Sequence, residues 1–301
     1  MSENLVSGAQ RTLGNNLKVG PLAFGCWRLT GTSDANNASL ISAALDAGMN
    51  FIDNADVYGL DWGGTGFGAC EEALGRVLAA NSSLRNRMVL ATKGGIIPGI
   101  PYDSSAQYLT KACEASLTRM QVDHVELYQI HRPDMFTHPE EVASAFASLK
   151  SRGLVSTFGV SNYTPAQTRA LAAHVQEALV STQVEFSAAQ LAPMRDGTFD
   201  LCMETNTTAL AWSPLAGGRI ATGQNIPQEL LTTLDELAVR ENTTRTVIAT
   251  AFVLAHPVKA VAILGTQQIE RLTELTQATT VTLTREDVYR IVVASEGVPL
   301  P

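Results

Sequence analysis

Basic charge is scarce in this chain. Only 21 of its 301 residues are Lys or Arg, against 29 Asp or Glu, for a formal net charge of −8. A nucleic-acid partner requires a basic face that neutralises phosphates, so that class is excluded. Cysteine is equally sparse: Cys26, Cys70, Cys113 and Cys202 lie far apart with no CxxC pair. That spacing builds neither a disulfide framework nor a zinc site, no other metal site is expected, and reduced thiols suit the cytoplasm. Long apolar runs are missing as well. The most apolar segment, 247–264, is interrupted by Thr250, His256, Pro257 and Lys259, too broken to span a bilayer. The opening residues show no basic stretch followed by an apolar one, so no secretory signal is expected. No Ser/Gly linker or low-complexity block divides the chain, and a single domain over residues 1–301 is expected.

What is present is a large apolar inventory, 45% of residues, with 23 Gly and 12 Pro. That composition excludes disorder, collagen and coiled coil. Short apolar runs alternate with longer helical patterns. The runs are PLAFGCW (21–27), NFID (50–53), MVLATK (88–93), VELYQIH (125–131), LVSTFGVSN (154–162), LVSTQVEF (179–186), TALAWSPL (208–215) and KAVAILG (259–265). Near-continuous apolar strands alternating with helices read as βα units of a parallel sheet covered on both faces. Eight such units predict an α/β fold, a (β/α)8 TIM barrel, over an open doubly wound sheet. Periodicity alone leaves closure undecided. Residues 10–20, with Gly14-Asn15-Asn16 between short apolar stretches, predict an N-terminal β-hairpin. Thr164-Pro165-Ala166-Gln167 carries a helix-start signature, and Gly48 and Gly153 mark helix ends.

In a barrel of this kind the site lies at the carboxyl ends of the strands. Three consecutive runs end there in Asp53, Lys93 and His131, and Tyr58 follows five residues after Asp53. Taken singly, each has a bland reading as a cap, a surface charge or a packing ring. Together they place an acid, a base, an imidazole and a phenol around one mouth.

The segments DAGMNFIDNADVYG (46–59), MVLATKGG (88–95), ASLTRMQVDHVELYQIHRPD (115–134), GLVSTFGVSNY (153–163), ALAWSPLAGGRI (209–220) and ILGTQQIERL (263–272) resemble the aldo-keto reductases from about residue 11 to residue 291. The last three look most like the bacterial short-loop members. The resemblance implies hydride transfer from NADPH to the carbonyl of a small aldehyde or ketone. Tyr58 would be the general acid and Lys93 would ease its ionisation. Asp53 would hold Lys93, and His131 would position the carbonyl. Family members that reduce steroid C=C bonds carry Glu at the histidine position, so His131 points to a carbonyl substrate.

The same resemblance implies a nicotinamide stacked on Trp212, with its carboxamide on Ser161, Asn162 and Gln183. The glycine-bearing loops after strands seven and eight would take the phosphates, where backbone N–H groups favour an anion. They contain Ser213, Pro214, Leu215, Gly217 and Arg219, then Gly265, Thr266, Gln267 and Arg271. Arg271 matches an arginine on the adenosine 2′-phosphate, and Gln267, one helical turn earlier, would share its face. Gly265 and Gln267 stand where many relatives carry Lys and Arg, so the clamp is thin and NADH is a second cofactor candidate. Trp27, Trp62 and Phe67 are expected to line the substrate pocket.

Gly64-Thr65-Gly66-Phe67-Gly68-Ala69 fits GxGxxA, but it lies ten residues beyond the nearest strand, too far for a dinucleotide turn. It reads as a flexible loop beside the site, with Glu71 and Glu72 opening the next helix, where acids are favoured. Two other functions stay open at this point. One is a cofactor-binding redox sensor or scaffold with little turnover; the other is a barrel lyase using Lys93 as a Schiff base. The protein is expected as a monomer or weak homo-oligomer, with no membrane partner.

Overall fold

Side chains on a strand alternate between two faces, so each of the eight apolar runs must be buried twice over. A computed structural model describes residues 3–14, 16–30, 33–60 and 63–300 and shows how this is achieved. After β1 (Arg11–Leu13) and β2 (Leu17–Val19) come β3 (Leu22–Gly25), β4 (Phe51–Asp53), β5 (Val89–Gly94), β6 (Val125–Ile130), β7 (Val155–Ser161), β8 (Ser181–Glu185), β9 (Thr208–Trp212) and β10 (Val261–Leu264). Strands β3 to β10 pair in parallel in chain order, and β10 returns to β3, closing the barrel. The helices around it are α1 (Asp34–Asp46), α2 (Ala69–Ala80), α3 (Ala106–Met120), α4 (Pro139–Ser151), α5 (Pro165–Ala172), α6 (Thr198–Thr205), α7 (Arg219–Thr222), α8 (Gln228–Arg240), α9 (Arg245–Ala255), α10 (Ile269–Thr276) and α11 (Arg285–Glu296).

The alternation sorts the core into two parts. Inside the barrel, Phe51, Val89, Ala91, Leu127, Leu210, Val261 and Ile263 form one apolar cluster. Their neighbours one residue on, such as Ile52, Leu90, Tyr128 and Ala211, face outward with Leu74, Leu117 and Phe146 of the helices. Two residues past an inward side chain is another inward one. Phe51 is therefore followed inside by Asp53, Ala91 by Lys93, Leu127 by Gln129, and Leu210 by Trp212. The barrel is apolar low down and polar at its carboxyl end, and a one-residue slip would bury the wrong set.

The hairpin pairs antiparallel, Arg11 with Val19 and Leu13 with Leu17. Leu13 and Val19 are fully buried in the interior cluster, and Thr208 Oγ1, at the start of β9, donates to the Thr12 carbonyl at 3.1 Å. The hairpin thus plugs the amino end of the barrel. Arg11 clamps the segment in place without a carboxylate partner among the described residues: Nε donates to the Lys259 carbonyl at 2.7 Å and Nη2 to the Ser7 carbonyl at 2.8 Å.

Local signals act where expected. Thr164 and Gln167 form a reciprocal capping box at the start of α5, at 3.2 and 2.9 Å. Close strand packing requires Gly159, because a Cβ there would lie 2.0 Å from Ser181 Oγ. No described helix is long and apolar enough to cross a membrane.

Candidate active site

The chain leaving β4 is fastened onto β5. Asn54 N–H donates to the Ala91 carbonyl at 2.9 Å, Asp56 N–H to the Lys93 carbonyl at 3.0 Å, and Tyr58 N–H closes a turn on Ala55 at 3.2 Å. This ladder fixes the Tyr58 turn relative to Lys93. Lys93 is fully buried; its ammonium donates to Asp53 Oδ2 and to the Asn54 carbonyl, each at 2.8 Å. Asp53 Oδ1 accepts from Gln183 Nε2 at 3.0 Å. The ammonium lies 4.8 Å from the centre of the Tyr58 ring. The His131 ring meets Tyr58 edge-on at 5.7 Å, and Trp27 lies at 6.3 Å on another side. The four residues Asp53, Tyr58, Lys93 and His131 are brought together at the barrel mouth.

Burial decides the charge states. The Tyr58 phenol is pushed up to about 12; desolvation raises it more than Lys93 lowers it. The expected easing by Lys93 is present but smaller than the cost of burial, so the hydroxyl holds its proton. Burial alone would depress Lys93, yet the Asp53 carboxylate and Tyr58 together raise it, so it stays an ammonium. A Schiff base needs a free amine, which the 2.8 Å ion pair with Asp53 disfavours. Burial, then the charges of Lys93 and Arg132, push His131 well below the ordinary imidazole range, leaving it neutral. Its Nδ1 is buried without a partner among the described residues.

The residues expected to hold a cofactor form the adjoining rim. Asn162 sits in left-handed backbone at φ 59° and ties three strand ends together. Its Nδ2 donates to the His131 carbonyl at 3.1 Å and to Ser161 Oγ at 2.8 Å, while its Oδ1 accepts from Trp212 Nε1 at 3.1 Å. After Trp212 the backbone turns through positive φ at Ser213 (49°), Ala216 (52°), Gly217 (71°) and Gly218 (97°). Pro214 and Leu215 lie within that loop. Arg219 folds back on it, donating to the Ala216 carbonyl at 3.0 Å. Past β10, Gly265 and Thr266 lead to α10, whose amino end has no side-chain cap.

Several expectations change. Gln267 does not share a helical face with Arg271, because α10 starts only at Ile269 and Gln268 before it is extended (φ −120°, ψ 121°). Arg271 is exposed in the first turn, next to Glu270, while Gln267 Oε1 is buried without a partner among the described residues. Phe67, expected to line the substrate pocket, packs under the Arg119 guanidinium of α3 at 5.6 Å. Trp62 lies outside the described residues. The rest of its loop is tied back, with Gly66 N–H on the Gly59 carbonyl at 3.1 Å. Glu71 does more than favour a helix start: it is fully buried, accepting from Arg119 Nε at 2.7 Å and from Thr92 Oγ1. Asp56, which sequence reasoning passed over, is fully buried beneath the Tyr58 turn.

Comparison with known proteins agrees with this geometry. The profile of the aldo/keto reductase family matches residues 21–296. The 6-dehydroglucose reductase of Novosphingobium aromaticivorans is 45% identical over 305 residues, covering 100% of both chains. Oxidoreductase YdhF of Escherichia coli is 34% identical, covering 92% of this chain and 94% of its own. Among solved structures, the thermostable aldo-keto reductase Tm1743, crystallised with the inhibitor epalrestat, superposes with a TM-score of 0.83 at 27% identity. That match covers 95% of this chain and 99% of the other.

Proposed function

The chain belongs to the aldo/keto reductase family, and from that premise we propose that it is an NADPH-dependent reductase in which Tyr58 protonates a carbonyl oxygen. Membership makes it an NAD(P)H-dependent oxidoreductase that reduces carbonyl groups. The finer reading is carried by one observation: a buried, charged Lys93 held by Asp53 beneath the Tyr58 ring, with a neutral His131 at its edge. We read the whole chain as one reductase domain.

The donor set fits a dinucleotide. Trp212 would stack on the nicotinamide, and Ser161, Asn162 and Gln183 would hold its carboxamide. The left-handed backbone from Ser213 to Gly218 and the uncapped amino end of α10 present N–H groups suited to phosphates. Gln267 has a buried oxygen still in need of a donor, and Arg271 would meet the 2′-phosphate. When bound, the cofactor supplies a hydride to the carbonyl carbon.

The chain's own residues manage the charge that follows. Tyr58 keeps its proton until the carbonyl oxygen becomes strongly basic, then donates it. The Lys93 ammonium stabilises the phenolate left behind, and Asp53 keeps that ammonium from shifting. His131 donates an uncharged N–H to the same oxygen, in the manner of an oxyanion hole. The name of the 45% identical relative points to a hydroxylated aldehyde of the 6-dehydroglucose type as substrate. Tyr58→Phe tests the assignment. Turnover with NADPH and such an aldehyde should fall by roughly 100- to 10,000-fold, with NADPH binding by fluorescence quenching retained. Unchanged turnover would refute the role.

A further inference from the structure

A carboxyl group that this chemistry does not use lies under the Tyr58 turn. Asp56 is fully buried, and neither of its side-chain oxygens has a hydrogen-bond partner among the described residues. It is the second residue of the Ala55–Tyr58 turn, and its N–H is bound to the Lys93 carbonyl. Its backbone therefore joins the phenol to the ammonium. Its side chain enters space left by a missing one: a Cβ on Gly94 would meet Asp56 Oδ2 at 3.3 Å and the Tyr128 hydroxyl at 2.1 Å.

The nearby cations are engaged elsewhere. Arg119 donates to Glu71 and, through Nη2, to Ser116 Oγ at 3.1 Å. Lys93 is held by Asp53 and the Asn54 carbonyl. A carboxylate without donors is strongly disfavoured in such a site, whereas a neutral carboxylic acid is tolerated. The charged or titratable groups facing it are Glu71 from α2, Arg119 and Tyr108 from α3, Lys93 from β5 and Tyr128 from β6.

We propose that Asp56 is a positioning residue: a proton-bearing carboxylic acid whose neutral state keeps the turn carrying Tyr58 seated against Lys93. This rests on the reading of Tyr58 as proton donor. Burial first, then Glu71, holds the Asp56 proton well above the ordinary carboxyl range, against the opposing pull of Arg119, of the adjacent Val57 N–H, which falls short of a hydrogen bond, and of Lys93. Tyr58, pushed up to about 12, does not itself titrate at moderately alkaline pH. Ionisation of Asp56 would instead add a second negative charge beside Glu71 and force the turn off β5.

The test is a pH series of kcat and KM for wild type, Asp56→Asn and Asp56→Ala, from about pH 6 to 10. Wild-type kcat should fall toward the alkaline end. Asp56→Asn, similar in shape and always neutral, should keep neutral-pH kcat within about twofold and lose that fall. Asp56→Ala should lower kcat roughly tenfold with little change in KM for NADPH. A flat wild-type profile, a fall that persists in Asp56→Asn, or an alanine variant at wild-type kcat overturns the proposal. So does an Asp56→Asn as impaired as Asp56→Ala.

Thermal midpoints of wild type and Asp56→Asn supply a readout independent of Tyr58. A folded-state pKa raised above the ordinary carboxyl value of 3.8 means stability from this group is lost as pH rises from there. The melting advantage of Asp56→Asn should therefore grow with pH, and a constant difference overturns the protonated assignment even if the alanine variant does not fold. If Tyr58→Phe retains turnover while that advantage still grows, the Tyr58 reading has failed and the protonated carboxyl has not.

Discussion

Lys93 anchors the site through its partners, because a fully buried ammonium is tolerable only with them in place. Lys93→Met leaves Asp53 buried with Gln183 alone, and stability should drop by about 3–5 kcal/mol in urea unfolding. Replacing Asp53 by Leu in the same chain should recover part of that loss while turnover stays abolished, since the ammonium beside the phenol is gone. His131 makes a second expectation. Its imidazole is held well below the ordinary 6.5 by burial and by two neighbouring cations, so kcat/KM should show no inflection near that pH. With the folded value depressed, the associated stability is present above about 6.5 and is lost as pH falls toward the lower value. An inflection in kcat/KM at the free-imidazole value, absent in His131→Gln, would contradict a neutral buried ring. Asp53, Lys93 and His131 were legible in the sequence because each ends an apolar run; Tyr58 followed from its distance to Asp53. Asp56 and Glu71 were not. An acid in a turn or at a helix start is ordinarily solvated, and only the packing of α2 and α3 against β5 and β6 removes water from these two.

Element boundaries followed the sequence closely where apolar runs were bounded by turn residues. Seven of the eight barrel strands fall within their expected segments, trimmed at ends where the chain bends into loops, and β5 runs one residue past its segment to Gly94. The start of α10 was misjudged, because the helical spacing of Gln267 and Arg271 hides an extended residue between them. This matters for cofactor choice. Arg271, alone in the first turn with the acidic Glu270 beside it, has little support for a 2′-phosphate. Arg271→Ala should raise KM for NADPH by about tenfold, as expected for loss of a charge-assisted hydrogen bond, and leave NADH nearly unaffected. Initial rates with the two cofactors decide this; an equal change for both would remove the arginine from the phosphate site. Between strands, Gly159→Ala should cost about 1–3 kcal/mol through its collision with Ser181, seen as a lowered thermal midpoint.

At the scale of the molecule, closure was the part the sequence could not decide, since an open parallel sheet carries the same alternation of strands and helices. The hairpin was legible from its Gly-Asn-Asn turn, but its role as a plug depends on Leu13 and Val19 reaching the interior cluster, a long-range fact. That plug has a kinetic consequence. With the floor sealed by the hairpin, traffic of both reactants is confined to one doorway. The residues proposed for the nicotinamide carboxamide, Ser161 and Gln183, are buried, whereas Trp27 and Tyr58 are only partly covered. On the proposed reading, the dinucleotide is expected to arrive before the aldehyde and depart after the alcohol. Oxidised dinucleotide should accordingly compete with the reduced form in product-inhibition assays and act noncompetitively toward the aldehyde, a queue imposed by a three-residue strand pair at the far end of the barrel.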